Sequence, residues 1–289
     1  MKVFVIARDK YSTLPKMVEY LLSDWSPSLE IDLIILDNGY PREILDRAFS
    51  ICESIGFNRY QTFEFEKYAN TNFMLDNIIT NAVEHENFLL IENDCLFRSS
   101  QVKSLFESIV DTPYTYISPC ILNPDNSVHF RPAESSIYYS KEVVRFSLNR
   151  GRESEASQES STRNLEQMDI VERHCLLINP VLFRKIGKLD LMMNDRTDID
   201  LSIQLKSCGG QSGVDYRLSA YFINEPDLTW DQDFLSDRWD IDKVAQAHAR
   251  LLSKWNIKDY KNTINHAYEI RERFLGESHI KLDCYGAPI

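Results

Sequence analysis

Glycine is scarce and comes late: the 289-residue chain holds 9, and none precedes Gly39. That excludes a glycine-rich phosphate loop behind the first strand-like segment. Paired cysteines are lacking as well. Cys52, Cys95, Cys120, Cys175, Cys208 and Cys284 are scattered with no CxxC pair, so neither a zinc site nor a disulfide framework is expected. Excess positive charge is missing: the formal net charge is −12, which argues against wrapping nucleic acid or lying on an anionic membrane through nonspecific charge. No apolar run approaches a membrane span, and Met1-Lys2-Val3-Phe4-Val5-Ile6-Ala7 turns polar at Arg8-Asp9, too soon for a signal peptide. A cytoplasmic protein without an integral membrane segment is the expectation.

What remains is an ordinary globular composition, 43% apolar and 11% aromatic, enough for a substantial core. Strand-like and helix-like segments alternate through the first half. Val3 to Ala7 reads as a strand, and Ser12 to Trp25 as a helix with Met17, Val18, Leu21 and Leu22 at helical spacing. Ile31 to Leu36 is a second strand ending in Asp37-Asn38-Gly39, and a helix opened by Pro41 is stopped by Gly56. Tyr60 to Phe65 and Phe88 to Ile91 read as strands, and Asn72 to Val83 and Ser100 to Val110 as helices. This succession predicts an α/β fold with a mainly parallel sheet and helices on both faces. Beyond Pro113 the pattern loosens into short strands at Tyr114 to Ser118, Val128 to Arg131 and Ser136 to Tyr139.

The most informative piece is Glu92-Asn93-Asp94, which follows Phe88-Leu89-Leu90-Ile91 with no turn glycine or cap between. In open α/β sheets ligands bind beyond the carboxyl ends of the strands, where two carboxylates at spacing two repel unless a cation or donors offset them. Acidic residues also end strands merely to bond loop amides or cap a helix, and the tripeptide alone leaves both readings open.

Asn149 to Gln167 is rich in Ser and Glu and nearly devoid of apolar side chains. It reads as a solvated loop, or as a mobile lid whose Arg150 and Arg152 reach an anionic ligand. From Val171 the chain reads as a strand, a short helix, a loop, and an amphipathic helix with Leu201 and Leu205 inward that a glycine ends. After Pro226 helices are expected over Ile241 to Trp255 and Tyr260 to Leu275, with Trp230 and Trp239 readable either as packing residues or as aromatic planes open to a stacking ligand.

Taken in order, Asp37-Asn38-Gly39, Glu92-Asn93-Asp94, and the run from His174 through Gly187 and Asp190 to Arg196-Thr197-Asp198-Ile199-Asp200-Leu201 resemble the family two type of GT-A glycosyltransferases. The resemblance covers roughly the first three quarters of the chain. It implies a Rossmann-like GT-A fold with a C-terminal helical extension, and transfer of a sugar from a nucleotide sugar, most simply a UDP-sugar, to a hydroxyl of a glycan or glycoconjugate. It places Asp37 and Asn38 at the nucleoside, and Ala7, Arg8 and Asp9 at the lip of that pocket. Glu92, Asn93 and Asp94 take the DxD position, with Asp94 and Glu92 toward a divalent cation, Mn2+ or Mg2+. Asp198 is implied as the general base of an inverting displacement. His174, Arg173 and Trp230 are further candidates for contacts to acceptor or sugar.

The chain departs from the pattern at Glu92, where the family usually has Asp, and at Thr197, where it usually has Glu. Thr197 with Asp198 is also a plausible helix cap, and His174 beside Cys175 and Leu176 is equally readable as a core residue. The family's late metal-binding histidine is missing from Tyr221-Phe222-Ile223-Asn224-Glu225, leaving the distant His279 as a substitute. A noncatalytic nucleotide-sugar-binding protein therefore stays open. A metal-dependent nucleotidyltransferase ranks lower for want of the glycine loop. The expected division is a catalytic domain over 1–225 and a helical extension over 226–289.

Overall fold

The computed structural model describes residues 1–129, 136–139, 144–147, 164–193, 195–257 and 264–278. Its centre is a sheet of strands β1 (Lys2–Ile6), β2 (Asp32–Asp37), β3 (Tyr60–Glu64), β4 (Phe88–Glu92), β5 (Cys95–Leu96), β6 (Tyr114–Leu122), β9 (Leu165–Met168), β10 (Cys175–Ile178) and β11 (Gln211–Phe222), with β7 (Ser136–Tyr139) and β8 (Val144–Ser147) forming a separate hairpin. The order is β3-β2-β1-β4-β10-β6-β11-β5, with β9 also paired to β11. Strands β3, β2, β1, β4, β6 and β11 run one way, and β10, β5 and β9 run against them. The central strands β4 and β10 are buried end to end, as expected of strands covered on both faces.

Alternation along β1 divides the core. Val3 and Val5 join Leu33, Ile35, Leu89 and Ile91 beneath α1 (Leu14–Leu22), α2 (Arg42–Ser54) and α4 (Ser99–Ser108). Phe4 and Ile6 point the other way, with Ile34, Leu36 and Leu90, toward α3 (Thr71–Asn77), α5 (Pro180–Phe183) and α6 (Thr197–Ser207). Strand β1 lies between β2 and β4, so the chain reverses its direction of travel across the sheet there, the topological switch at which such sheets bind ligands.

Several sequence expectations need correction. The strand that begins at Gln211 was not foreseen, nor was α7 (Leu228–Arg238), which precedes α8 (Ile241–Trp255) and α9 (Ile264–Leu275). Residues 165–167, expected in a loop, form part of β9, because an edge strand needs only a partner and Ser212 to Asp215 of β11 supply it. The Arg150 and Arg152 lid and His279 lie outside the described residues. Helix α6 is not amphipathic: Leu201 and Leu205 pack on the sheet, while Ile199 and Ile203 pack with Leu251 of α8. The helix from Thr71 ends in a π-helical turn, Ile78–Ala82. Of the expected Val128 to Arg131 strand, Val128 pairs with Leu122, and residues 130–131 lie outside the described residues. Among the described residues no helix is long and apolar enough to cross a membrane.

Candidate active site

Register brings the polar strand ends together. Ile6 is level with Leu36 of β2 and Glu92 of β4, so Ala7 to Lys10, Asp37 to Gly39 and Glu92 to Asp94 leave one edge of the sheet side by side. Because β10 is antiparallel to β4, its start meets the end of β4, and the Glu92 N–H donates to the His174 carbonyl at 2.9 Å. Glu92, Asn93, Asp94, Arg173 and His174 are all buried.

The turn after β2 holds its own shape. Asp37 Oδ1 accepts from the Gly39 and Tyr40 amides, both at 2.9 Å, while Oδ2 takes no hydrogen bond among the described residues. Gly39 has φ +109°, and a Cβ there would lie 2.6 Å from Lys67 Cγ, so the tight turn requires glycine. Asn38 is fully buried, its amide 3.4 Å from the Ala7 carbonyl and its own carbonyl accepting from Tyr11 Oη at 2.9 Å. Asn93 turns inward, donating from Nδ2 to the Lys10 carbonyl at 2.6 Å.

Each carboxylate of the acidic pair meets a cation from the loop after β1. Arg8 Nη1 is 3.4 Å from both Glu92 oxygens, and Lys10 Nζ is 2.8 Å from Asp94 Oδ2 and from Asp9 Oδ1. His174 Nδ1 lies 2.6 Å from Glu92 Oε2. Burial opposes the Glu92 charge, yet Arg8 and His174 together hold its carboxyl well below the ordinary range. Burial likewise opposes the His174 charge, but Glu92 and Glu172 push its pKa up to about 10. Asp94 goes the other way: burial, reinforced by the Glu92 and Asp9 charges, keeps its carboxyl above the usual range despite Lys10. Positive charge is therefore undersupplied at Asp94, and its buried Oδ1 takes no hydrogen bond among the described residues.

Ligand atoms of Glu92, Asp94 and His174 lie within 4.8 Å of one another, and two carboxylates with one imidazole suit a divalent cation. The residues fit the implied Mn2+ or Mg2+, provided Lys10 gives up Asp94 Oδ2.

Asp198 stands in the first turn of α6, where a helix N-terminus favours an anion. Its Oδ1 accepts from Arg173 Nε at 2.9 Å, and Oδ2 takes no hydrogen bond among the described residues. Arg173 also donates to Asn72 Oδ1 and Thr71 Oγ1, each at 2.8 Å, and to Thr197 Oγ1 at 2.5 Å. Thr197 and Asp198 thus bind Arg173 rather than capping α6, which has no side-chain cap. Burial pulls the Arg173 pKa below its ordinary value even with Asp198 beside it. The Asp198 charge also acts on Arg8, whose pKa stays above its usual value through Glu92 and Asp198 although burial opposes it. Asp200 serves structure, joining α6 to α8 through Lys254 Nζ at 2.8 Å and Trp255 Nε1 at 2.7 Å.

The two tryptophans differ from expectation. Trp239 is buried and donates to Asp9 Oδ2 at 3.3 Å, so it is not available for stacking on a sugar. Trp230 is half-buried against the core on the α1, α2 and α4 face of the sheet, and no hydrogen bond or ring contact joins it to Glu92 or Asp94 among the described residues. Lys10, Glu172, His129 and Arg238 are the residues that sequence reasoning missed. Arg238 is buried beside Asp9, with a pKa lowered by burial to about 10. Lys10 was recoverable, since it follows Arg8 and Asp9 off the first strand.

No protein-family profile and no curated protein sequence matches the chain. Solved structures do. A GalNAc-T7 crystallised with UDP, GalNAc and Mn2+ superposes with a TM-score of 0.55 at 12% identity, over 94% of this chain and 57% of its own. This chain therefore spans little more than half of that protein. The mannosyltransferase PcManGT from Pyrobaculum calidifontis, in complex with GDP-Man and Mn2+, gives 0.52 at 12% identity, over 93% of this chain and 68% of its own. S. aureus TarS 1-349 in complex with UDP-GlcNAc gives 0.54 at 9% identity, over 95% and 71%. These are glycosyltransferases, and the fold described above is their GT-A fold, a Rossmann-like α/β architecture.

Proposed function

We propose that this chain is a metal-assisted glycosyltransferase that moves a sugar from a nucleoside diphosphate donor, a UDP-sugar first, to a hydroxyl of a glycan or glycoconjugate. The observation that carries the reading is the convergence of Glu92, Asp94 and His174 with Arg8 and Lys10 at the switch point of a GT-A sheet. Asp37, with Oδ2 to spare, receives the nucleoside beside Ala7 and Asn38. Arg8 and Lys10 face the diphosphate, and Asp9 and Asn93 hold them in place. Asp94 and Glu92 would hold a divalent cation, which when bound would supply electrostatic stabilisation of the leaving diphosphate. Asp198 takes the proton from the acceptor hydroxyl as that oxygen bonds the anomeric carbon and the bond to diphosphate breaks, which gives inversion. Residues 1–225 then form the catalytic domain and 226–289 the extension packed on it. Cys52, Cys95, Cys120, Cys175 and Cys208 are free thiols, which suits a reducing cytoplasmic setting.

A second reading is a nucleotide-sugar-binding protein without turnover, favoured by Thr197 in place of Glu and by the hold of Arg173 on Asp198. Incubation with a panel of nucleotide sugars, acceptors and Mn2+, following nucleoside diphosphate release, separates the two. Saturable donor binding without release across the whole panel would favour the binding protein.

A further inference from the structure

Behind the acidic pair lies a second convergence, which shares His174 with the first but uses its other ring nitrogen, Nε2, together with two residues that the donor-binding reading does not use. His129, in the segment after β6, and His174, at the start of β10, both direct Nε2 at one carboxylate oxygen, Glu172 Oε2, at 3.5 and 3.4 Å. Each ring is held from its far side. His129 Nδ1 is 3.0 Å from Asn123 Oδ1, and His174 Nδ1 is 2.6 Å from Glu92 Oε2. The two rings flank Phe222, with centroids 4.4 and 4.6 Å from it, and Glu172 and His174 are buried.

We infer that His129, Glu172 and His174 form a binding site for one Zn2+-class divalent cation, distinct from the cation position on Asp94. Ligands about 2.0–2.1 Å from a tetrahedral zinc are separated by roughly 3.3–3.4 Å, close to the spacing of both histidine nitrogens from the glutamate oxygen. Metal-binding histidines characteristically give the other ring nitrogen to a carbonyl or carboxylate, which sets tautomer and orientation; Asn123 and Glu92 do this for the two rings. Two imidazoles with one carboxylate favour zinc and its first-row neighbours over Mg2+, which prefers oxygen alone. The scattered cysteines led to the expectation of no zinc site, whereas the ligand set assembled here contains no cysteine. A cation there would tie the segment after β6 to the start of β10 and hold His174 against Glu92. The competing account is a plain histidine–glutamate ion-pair relay.

The full chain, stripped by chelator and exchanged into metal-free buffer, is titrated calorimetrically with Zn2+ against a weak competing chelator. X-ray absorption is then recorded on the loaded protein. The equivalent that withstands the competing chelator should show the scattering of two imidazoles and no thiolate. His129→Ala and Glu172→Gln should each weaken it by more than about 10-fold, and Asn123→Ala by roughly 10-fold. His129→Cys, which keeps a zinc ligand, should restore binding, and Asp94→Asn should bind as the wild type does. Circular dichroism confirms that each variant is folded. Absence of saturable binding would overturn the inference, as would binding that survives His129→Ala but disappears in Asp94→Asn.

Discussion

Lys10 Nζ stands 2.8 Å from Asp94 Oδ2, with both side chains buried. The residue that occupies the DxD position thus carries an internal counterion from the loop after β1. The pairing accounts for how adjacent buried carboxylates are tolerated before any ligand arrives: Arg8 serves Glu92 and Lys10 serves Asp94. Lys10 Nζ is equally close to Asp9 Oδ1, at 2.8 Å, so an ammonium displaced from Asp94 by a cation would keep a buried counterion.

Replacing this lysine tests the pairing. Lys10→Met should cost about 3–5 kcal/mol without divalent cation, because one buried carboxylate loses its partner. Thermal unfolding with and without Mn2+ checks it. The cation should raise the variant's Tm by more than it raises the wild type's, and equal shifts would contradict the pairing.

Asp198→Asn keeps the shape of the side chain and removes the proton acceptor. Turnover should fall by about 10²–10⁴ while donor affinity stays within roughly 3-fold. Nucleoside diphosphate release and donor titration read the two separately. A tenfold loss of affinity with turnover retained would assign Asp198 to donor binding instead.

The loop that carries Arg8 and Lys10 is pinned by α7. Asp231 is fully buried and accepts from the Tyr11 and Ser12 amides at 2.7 and 3.0 Å, from Ser12 Oγ at 2.5 Å and from the Asp227 amide at 2.9 Å. Asp231→Ala strands these donors and should destabilise by about 2–4 kcal/mol. UDP binding should weaken with it, measured beside urea unfolding; full affinity in a destabilised variant would show that the loop needs no anchor.

Asp215 offers a pH test away from the site. Burial opposes its charge, but the Arg217 guanidinium and Ser108 hydroxyl outweigh it and hold the carboxyl below the ordinary 3.8. A folded pKa below the unfolded one contributes stability that is present above about pH 3.8 and lost as pH falls through the folded value. Arg217 is half exposed, so solvent screens the pair, and Asp215→Asn should cost only about 1 kcal/mol at neutral pH. Urea unfolding from pH 7 down through the acid range should narrow the gap between wild type and variant once the pH falls below about 3.8; a gap that widens would reverse the sign.

The first half of the fold was legible because its strands are continuous apolar runs and its helices carry apolar residues at helical spacing. Phe88 to Ile91 and Leu14 to Leu22 are examples. Beyond Pro113 the strand Ser136 to Tyr139 and the helix Ile241 to Trp255 were read as they stand, but elsewhere the signal fails for a physical reason: Leu165 to Met168 pairs at an edge and buries little, and α6 is packed on two sides, which erases its amphipathic stripe. At the candidate site, Glu92, Asp94 and Asp37 could be picked out because they end apolar strands. Lys10 could have been, since it follows Arg8 and Asp9 off the first strand, but Glu172 and His129 could not, since their meeting depends on antiparallel β10 returning beside β4 and on a pairing of residues over 40 positions apart that no local pattern encodes.

Mn2+-dependent release of nucleoside diphosphate is the most direct measurement of the account. The purified chain is incubated with a panel of UDP-sugars and hydroxyl acceptors, with Mn2+ or with chelator, in wild type and Asp94→Asn. Release that requires both the cation and Asp94 is the predicted result. Release that persists in chelator and in Asp94→Asn would contradict the assignment of this cleft to metal-assisted glycosyl transfer.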